Sequence, residues 1–260
     1  MLKVDSISIG HGDRLLVQDI SFELSQGECV LLAGANGTGK TTLLKTLAGE
    51  GVCSENLRSR GDLRPSHGKP WAPPSDVPRV AQFSEHTPSP ARIILIPTNI
   101  PKVKGFTVEA FVRTGCYKES DWKGRISKDV KKKMEEAFDI LGLLELKDRD
   151  ISTLSDGEFK KACLAVGLTR QAEVLLLDEP TAFLDVENRI SVLQTLREVA
   201  QKTGTAVLFS SHDLHDALPV VDRVFALTRD RRFLSSVTSS EAGKSKEDVL
   251  REAFPNLTNL

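Results

Sequence analysis

Gly34 is followed by Ala35, Asn36, Gly37 and Thr38, and then by Gly39, Lys40, Thr41 and Thr42. A glycine, four residues and Gly-Lys-Thr is the spacing of a loop that grips phosphate. Glycines at 34, 37 and 39 allow torsions and close approach that a Cβ would obstruct, so successive N–H groups can converge on phosphate oxygens. Lys40 supplies a point charge for β and γ phosphates, and the Thr41 hydroxyl is a hard oxygen suited to Mg²⁺. Two further clusters could complete a reaction centre. Asp178 and Glu179 stand side by side after an apolar run, where the first can hold Mg²⁺ through water and the second can orient an attacking water. His212 ends another such run, placed to reach the γ-phosphate.

These residues need elements that bring them to one edge. Cys29 to Ala33 is apolar without alternation, as is a parallel strand buried on both faces. Leu43, Leu44, Leu47 and Ala48 then recur at helical spacing until Gly49, so the loop joins a strand to a helix N-terminus, where anions bind. The runs 93–96, 173–177, 206–209 and 224–227 read as further buried strands, the last being the final strand. Leu2 to Ile9 and Ile20 to Leu24 alternate instead, predicting an antiparallel flap. Between those two strands lies His11, either a flat platform for a nucleotide base or a solvated loop histidine.

Seven prolines between Pro65 and Pro90 forbid a helix or central strand over most of that stretch, which we read as a surface insertion because the strand pattern resumes right after it. Val130, Met134, Ala137, Phe138 and Leu141 predict an amphipathic helix ending at Gly142. Lys131 to Lys133 precede Glu135, Glu136 and Asp139, so they read as a solvated face and not as a nucleic-acid site. The tail from Ser235 is polar until a short helix at 246–254, and is expected to be loosely held.

Thirty-five basic against thirty-six acidic residues leave a net charge of −1 among 260 residues, so no global pull toward nucleic acid or anionic lipid exists. The four cysteines form no Cys-x-x-Cys pair, which suits a reducing compartment. No apolar run reaches the roughly 20 residues of a membrane span, so the chain is expected to be soluble by itself.

Leu154-Ser155-Asp156-Gly157-Glu158 opens another apolar-faced helix, and Ser155 with Glu158 is a capping box that any helix can use. Its position is more specific. It precedes the Leu-Leu-Leu-Asp-Glu-Pro run, which leads into Thr181-Ala182-Phe183-Leu184-Asp185 and later into His212. In that order the chain resembles the nucleotide-binding subunits of ABC-type ATPases from Leu2 to about Leu234. Gly105 to Ala110, Gly115-Cys116-Tyr117, Asp121 to Arg125, Leu141-Gly142-Leu143 and Asp148-Arg149 look most like importer ATPases for iron-siderophore, haem or cobalamin.

The resemblance implies an α/β P-loop NTPase fold: a mainly parallel core sheet, an antiparallel β flap and an inserted helical subdomain. The nucleotide-binding core would be 1–98 and 166–234, the helical subdomain 99–165 and the C-terminal tail 235–260. It implies ATP and Mg²⁺ as cofactors, with Lys40, Glu179 and His212 as catalytic residues and Thr41 and Asp178 at the metal. A head-to-tail dimer is implied, in which Ser155 and Gly157 of one copy contact the γ-phosphate held by the other and Asp185 lies at the interface. It also implies membrane permease subunits as partners and a cytoplasmic position on the inner face of the membrane. A rival within the family is an ATPase of a cytosolic assembly system, such as iron-sulfur cluster construction. A P-loop kinase or GTPase is disfavoured, because no Asn-Lys-x-Asp guanine reader occurs and neither uses a Leu-Ser-x-Gly segment.

The chain departs from the family pattern at four places. Asp156 replaces a usual glycine and Glu158 a common glutamine, adding negative charge near a triphosphate. His11 stands for a tyrosine. Thr98, followed by Asn99, stands where the family has a glutamine, and Gln82 lies too early to substitute for it.

Overall fold

A computed structural model describes residues 2–11, 14–49, 92–116, 126–237 and 243–255. Cys53, the proline-rich stretch with Gln82, Tyr117 and the segment from Asp121 to Arg125 lie outside the described residues.

Strands β1 (Leu2–His11) and β2 (Arg14–Leu24) form the expected antiparallel pair. The main sheet contains β3 (Cys29–Gly34), β4 (Ile93–Ile96), β5 (Val174–Leu177), β6 (Ala206–Ser210), β7 (Arg223–Leu227) and β8 (Phe233–Ser235), in the order β4-β5-β6-β3-β7-β8. The first five in that order are parallel. Their carboxyl ends therefore share an edge, where Gly34, Asp178 and Ser210 emerge.

Helix α1 (Lys40–Leu47) follows β3, and α2 (Val108–Thr114), α3 (Lys128–Leu141) and α4 (Asp156–Thr169) follow β4. Helix α5 (Val186–Thr203) and the short α6 (Leu214–Ala217) complete the centre of the chain. Alternate residues of the strands face opposite sides. Leu31, Leu177 and Phe209 pack against α4 and α5, whereas Leu32, Leu176 and Leu208 pack against α1 and the β flap. Phe22 of the flap meets Phe225 with ring centroids 4.7 Å apart, so the flap is fastened directly over the sheet. Cys29 and Cys163 are buried free thiols whose pKa values are pushed up to about 12 by desolvation, which leaves them inert near neutral pH.

The carboxyl end of the chain differs from expectation in two respects. β7 is not the last strand, because β8 pairs antiparallel with it. Nor are the described residues of the tail loosely held. Helix α7 (Lys246–Ala253) buries Val249 and Leu250 completely, and Lys246 donates to the carbonyls of Leu218 and Val221 at 3.1 and 2.8 Å. Glu252 pairs with Arg232 and Lys244. Val249 and Leu250, with Ala253 and Phe254 packed beside them, are enough to dock this short and otherwise polar helix once these polar contacts close around them. Among the described residues no helix is long and apolar enough to cross a membrane.

Candidate active site

The loop after β3 has the strand-to-helix geometry that its spacing predicts. A Cβ on Gly34 would lie 2.6 Å from Thr38 Oγ1 and 2.9 Å from the Leu227 carbonyl, so that position admits only glycine. Gly39 takes a φ of +106°, which turns the chain into α1. Thr38 is buried and hydrogen-bonded to the Ala35 carbonyl at 2.9 Å, while Asn36 and Gly37 remain exposed at the loop's tip. Thr42 is half-buried one residue beyond Thr41.

Lys40 is 6% exposed and donates to the carbonyls of Gly34 at 2.8 Å and Ala35 at 3.4 Å. Burial lowers its pKa, against which the charges of Glu179 and Asp178 act. The ammonium is thus held inside the loop by two neutral carbonyls. An arriving polyanion would be a stronger partner than either.

The loop and the end of β5 are joined directly. Thr41 donates to Asp178 Oδ2 at 2.8 Å, and Ser210 donates to Asp178 Oδ1 at 2.9 Å. The Ser210 oxygen in turn accepts the N–H of Glu179 at 2.9 Å. One fully buried hydroxyl therefore sets both acids, a role that its place in the sequence does not mark. Its only trace there is a polar residue closing an otherwise apolar run. Glu179 has a φ of +47°, a left-handed conformation unusual for a side chain of this kind. Such conformations persist where the surroundings over-determine them. Here the Ser210 bond and His212, whose Nε2 lies 2.7 Å from Glu179 Oε1, do so. Phosphate loop, paired acids and histidine form one continuous constellation.

Ser155 and Asp185 form a second constellation. Ser155 caps α4, accepting from Glu158 N at 3.2 Å, and Glu158 Oε2 accepts from Ser155 N at 2.7 Å. That backbone bond holds the Glu158 carboxyl below the usual range, and Arg149 stands 3.8 Å away. Asp156 is paired with Lys102 at 2.7 Å. Both acids that depart from the family pattern therefore have partners within the chain. Gly157 packs on α5, where an added Cβ would meet Asn188 Oδ1 at 2.8 Å. Asn188 is bound by Asp185, which caps α5 and is kept ionised chiefly by the Asn188 N–H. Ser155's described bonds stay within its own turn, leaving its exposed face turned outward.

Arg189 links the two constellations, with Nη1 2.6 Å from Asp213 Oδ1 and 3.5 Å from Asp216 Oδ2, beside His212. No sequence pattern marked it. The side chain of Thr98 is half-buried, and its carbonyl accepts from Lys160 Nζ at 2.8 Å. The His11 side chain and Gly12 lie outside the described residues.

A family model described as "ABC transporter" matches residues 17–182. The chain belongs to the ABC transporter family. Members of this family bind ATP and hydrolyse it to power transport, and the chain is an ATPase of that kind. The hemin import ATP-binding protein HmuV of Bradyrhizobium diazoefficiens is 33% identical over 88% of the chain and 80% of its own length. A probable siderophore transport ATP-binding protein, YusV of Bacillus subtilis, is 27% identical over 100% of the chain and 86% of its own length. Among solved structures, an inward-facing, putative metal-chelate type ABC transporter superposes with a TM-score of 0.71 at 23% identity. It covers 98% of this chain and 88% of that one. The fold is thus that of ABC ATPase domains, mixed α/β with a mainly parallel sheet.

Proposed function

We propose that the chain powers import of a metal chelate of the siderophore or haem class through separate membrane permease subunits, working as a head-to-tail homodimer. The observation that carries the enzymatic part is the 2.8 Å bond from Thr41 to Asp178, with Glu179 and His212 in contact just beyond. Support for the cargo class comes from the relatives, named for hemin and siderophore import, and these favour a permease-coupled role over a cytosolic assembly ATPase.

In this reading the loop from Gly34 to Thr42 wraps the phosphates, and Lys40 turns from the Gly34 and Ala35 carbonyls toward the β and γ oxygens. Thr41 Oγ1 and Asp178 are hard oxygen donors that fit Mg²⁺, which would neutralise charge on the phosphates. Glu179 accepts the proton of the attacking water, and His212 holds the carboxylate while reaching toward the γ-phosphate. Ser155 and Gly157 of a second copy cover the nucleotide from the opposite side, with Asp185 at the shared interface. The helical elements between 99 and 165 are the surface offered to the permease, which keeps the assembly on the cytoplasmic face of the membrane.

The test is uptake of radiolabelled ferric siderophores and haem by cells lacking the gene. Uptake of at least one chelate should fall to background and return with the parent gene but not with Glu179→Gln. Undiminished uptake of all of them in the deletion strain overturns the cargo assignment.

Thr98 gives a finer expectation. Its hydroxyl is too short to do what a glutamine does at the metal, so the contact falls to water, whose ordering costs up to about 2 kcal/mol. Thr98→Gln should raise basal ATPase activity about two- to tenfold, consistent with that cost, with ATP affinity nearly unchanged. The Lys160 bond, made to the main chain, survives the substitution. A basal rate that is unchanged or lower would remove Thr98 from the metal-side position.

A further inference from the structure

Lys102 occupies an unusual place for a cation. Its ammonium sits at the N-terminal turn of α4, where the helix dipole disfavours positive charge. There it donates to the Leu154 carbonyl at 2.8 Å and to Asp156 Oδ1 at 2.7 Å, and it lies 5.4 Å from the Phe159 ring centroid. Its side chain is only 25% exposed. An exposed ion pair on a flexible stem is weak, but this one is held by a carbonyl and a ring as well.

A second ammonium runs the opposite way. Lys160 of α4 reaches the Thr98 carbonyl at 2.8 Å, and burial lowers its pKa. The segment 98–102 and the first two turns of α4 are therefore fastened at two points, once from each side. The first of these turns carries the extra acid.

We propose that Lys102 is the internal counter-ion that lets the acidic turn from Ser155 to Glu158 face a triphosphate, and that it positions this turn by tying it to the exit of β4. The inference rests on the reading that Ser155 and Gly157 cover the nucleotide of a second copy. Asp156 adjoins both, so its charge is felt by that nucleotide. With Lys102 paired to it, the turn presents a compensated dipole in place of a bare carboxylate. The N–H groups of Ser155 and Glu158 are engaged in the capping box, so those that act on the phosphate are the neutral N–H groups of Asp156 and Gly157.

Two opposite-signed substitutions test this. Lys102→Met uncovers the acid, and should raise the ATP concentration for half-maximal hydrolysis about tenfold, less so at high salt. Asp156→Asn uncovers the cation and should lower that concentration several-fold. The double variant Lys102→Met/Asp156→Asn should return within about twofold of the parent, as coupled sites do, and Lys102→Arg should resemble the parent. The same shifts should appear without turnover, in the ATP concentration that drives association of two copies in a Glu179→Gln background, followed by light scattering. Equal shifts of one sign in both single variants, no shift in either, or a double variant as impaired as Lys102→Met would each overturn the counter-ion role. If Lys102→Met does not fold, a fall in the required ATP concentration for Asp156→Asn still supports the proposal, and no fall overturns it. Failure of ATP to associate copies of the Glu179→Gln protein itself would instead overturn the two-copy reading, and this inference with it.

Discussion

Glu179→Gln is expected to bind ATP as the parent chain does and to release phosphate at least about a hundredfold more slowly, the usual loss when a general base is removed. The substitution keeps the shape of the side chain. Its amide oxygen can still accept from His212 Nε2, and the main-chain bond from residue 179 to Ser210 is untouched. What it removes is the ability to take up a proton. Because Thr41, Asp178 and Lys40 keep their places, nucleotide affinity should stay within about threefold of the parent, less than one kcal/mol. If two copies close around the nucleotide, the closed form should accumulate and elute at twice the parental mass with ATP. Phosphate release within about threefold of the parent would deny Glu179 the role of base. A loss of nucleotide affinity matching the loss of turnover would make it a binding residue.

That constellation was largely legible in the sequence, and the reason is physical. Parallel strands buried on both faces read as continuous apolar runs, so Cys29 to Ala33, Val174 to Leu177 and Ala206 to Phe209 announced themselves. The polar residues ending them then had to share an edge. What escaped was of two kinds. β8 is three half-buried residues after the charged turn 229–232, too short for alternation to register, and α7 buries only two apolar side chains completely. Lys102, Lys160 and Arg189 escaped for another reason. Each is a charged residue whose partner lies far along the chain, at Asp156, Thr98 and Asp213, and a charge carries no mark of the partner that folding will give it. The acids Asp156 and Glu158 show the same limit from the other side. In the sequence both read as added repulsion, whereas in the fold Asp156 belongs to an ion pair; only the Glu158 cap was legible, as the capping box with Ser155.

Lys40→Ala should abolish ATP binding at concentrations that saturate the parent, a loss of at least about a hundredfold in affinity. Lys40 is nearly enclosed, and burial has already removed much of its hydration, so the desolvation normally charged against an ammonium on binding is largely spent in folding. Its present acceptors are carbonyls, and charge-assisted bonds to phosphate are roughly twice as strong as neutral ones. Two such bonds at about 1.5 to 3 kcal/mol each account for the expected loss. Folding should suffer little, because the alanine leaves only the Gly34 and Ala35 carbonyls short of one donor, and the tip of the loop just beyond them, at Asn36 and Gly37, is exposed. Lys40→Arg should not restore binding. A planar guanidinium needs room that a loop closed by the Gly34 contacts lacks, and it cannot act as a compact point charge. The measurement is equilibrium binding of a fluorescent ATP analogue alongside thermal unfolding without nucleotide. Retained binding in Lys40→Ala would move the phosphate-gripping role away from this lysine. A collapse of the unfolding temperature together with binding would assign it to the fold instead.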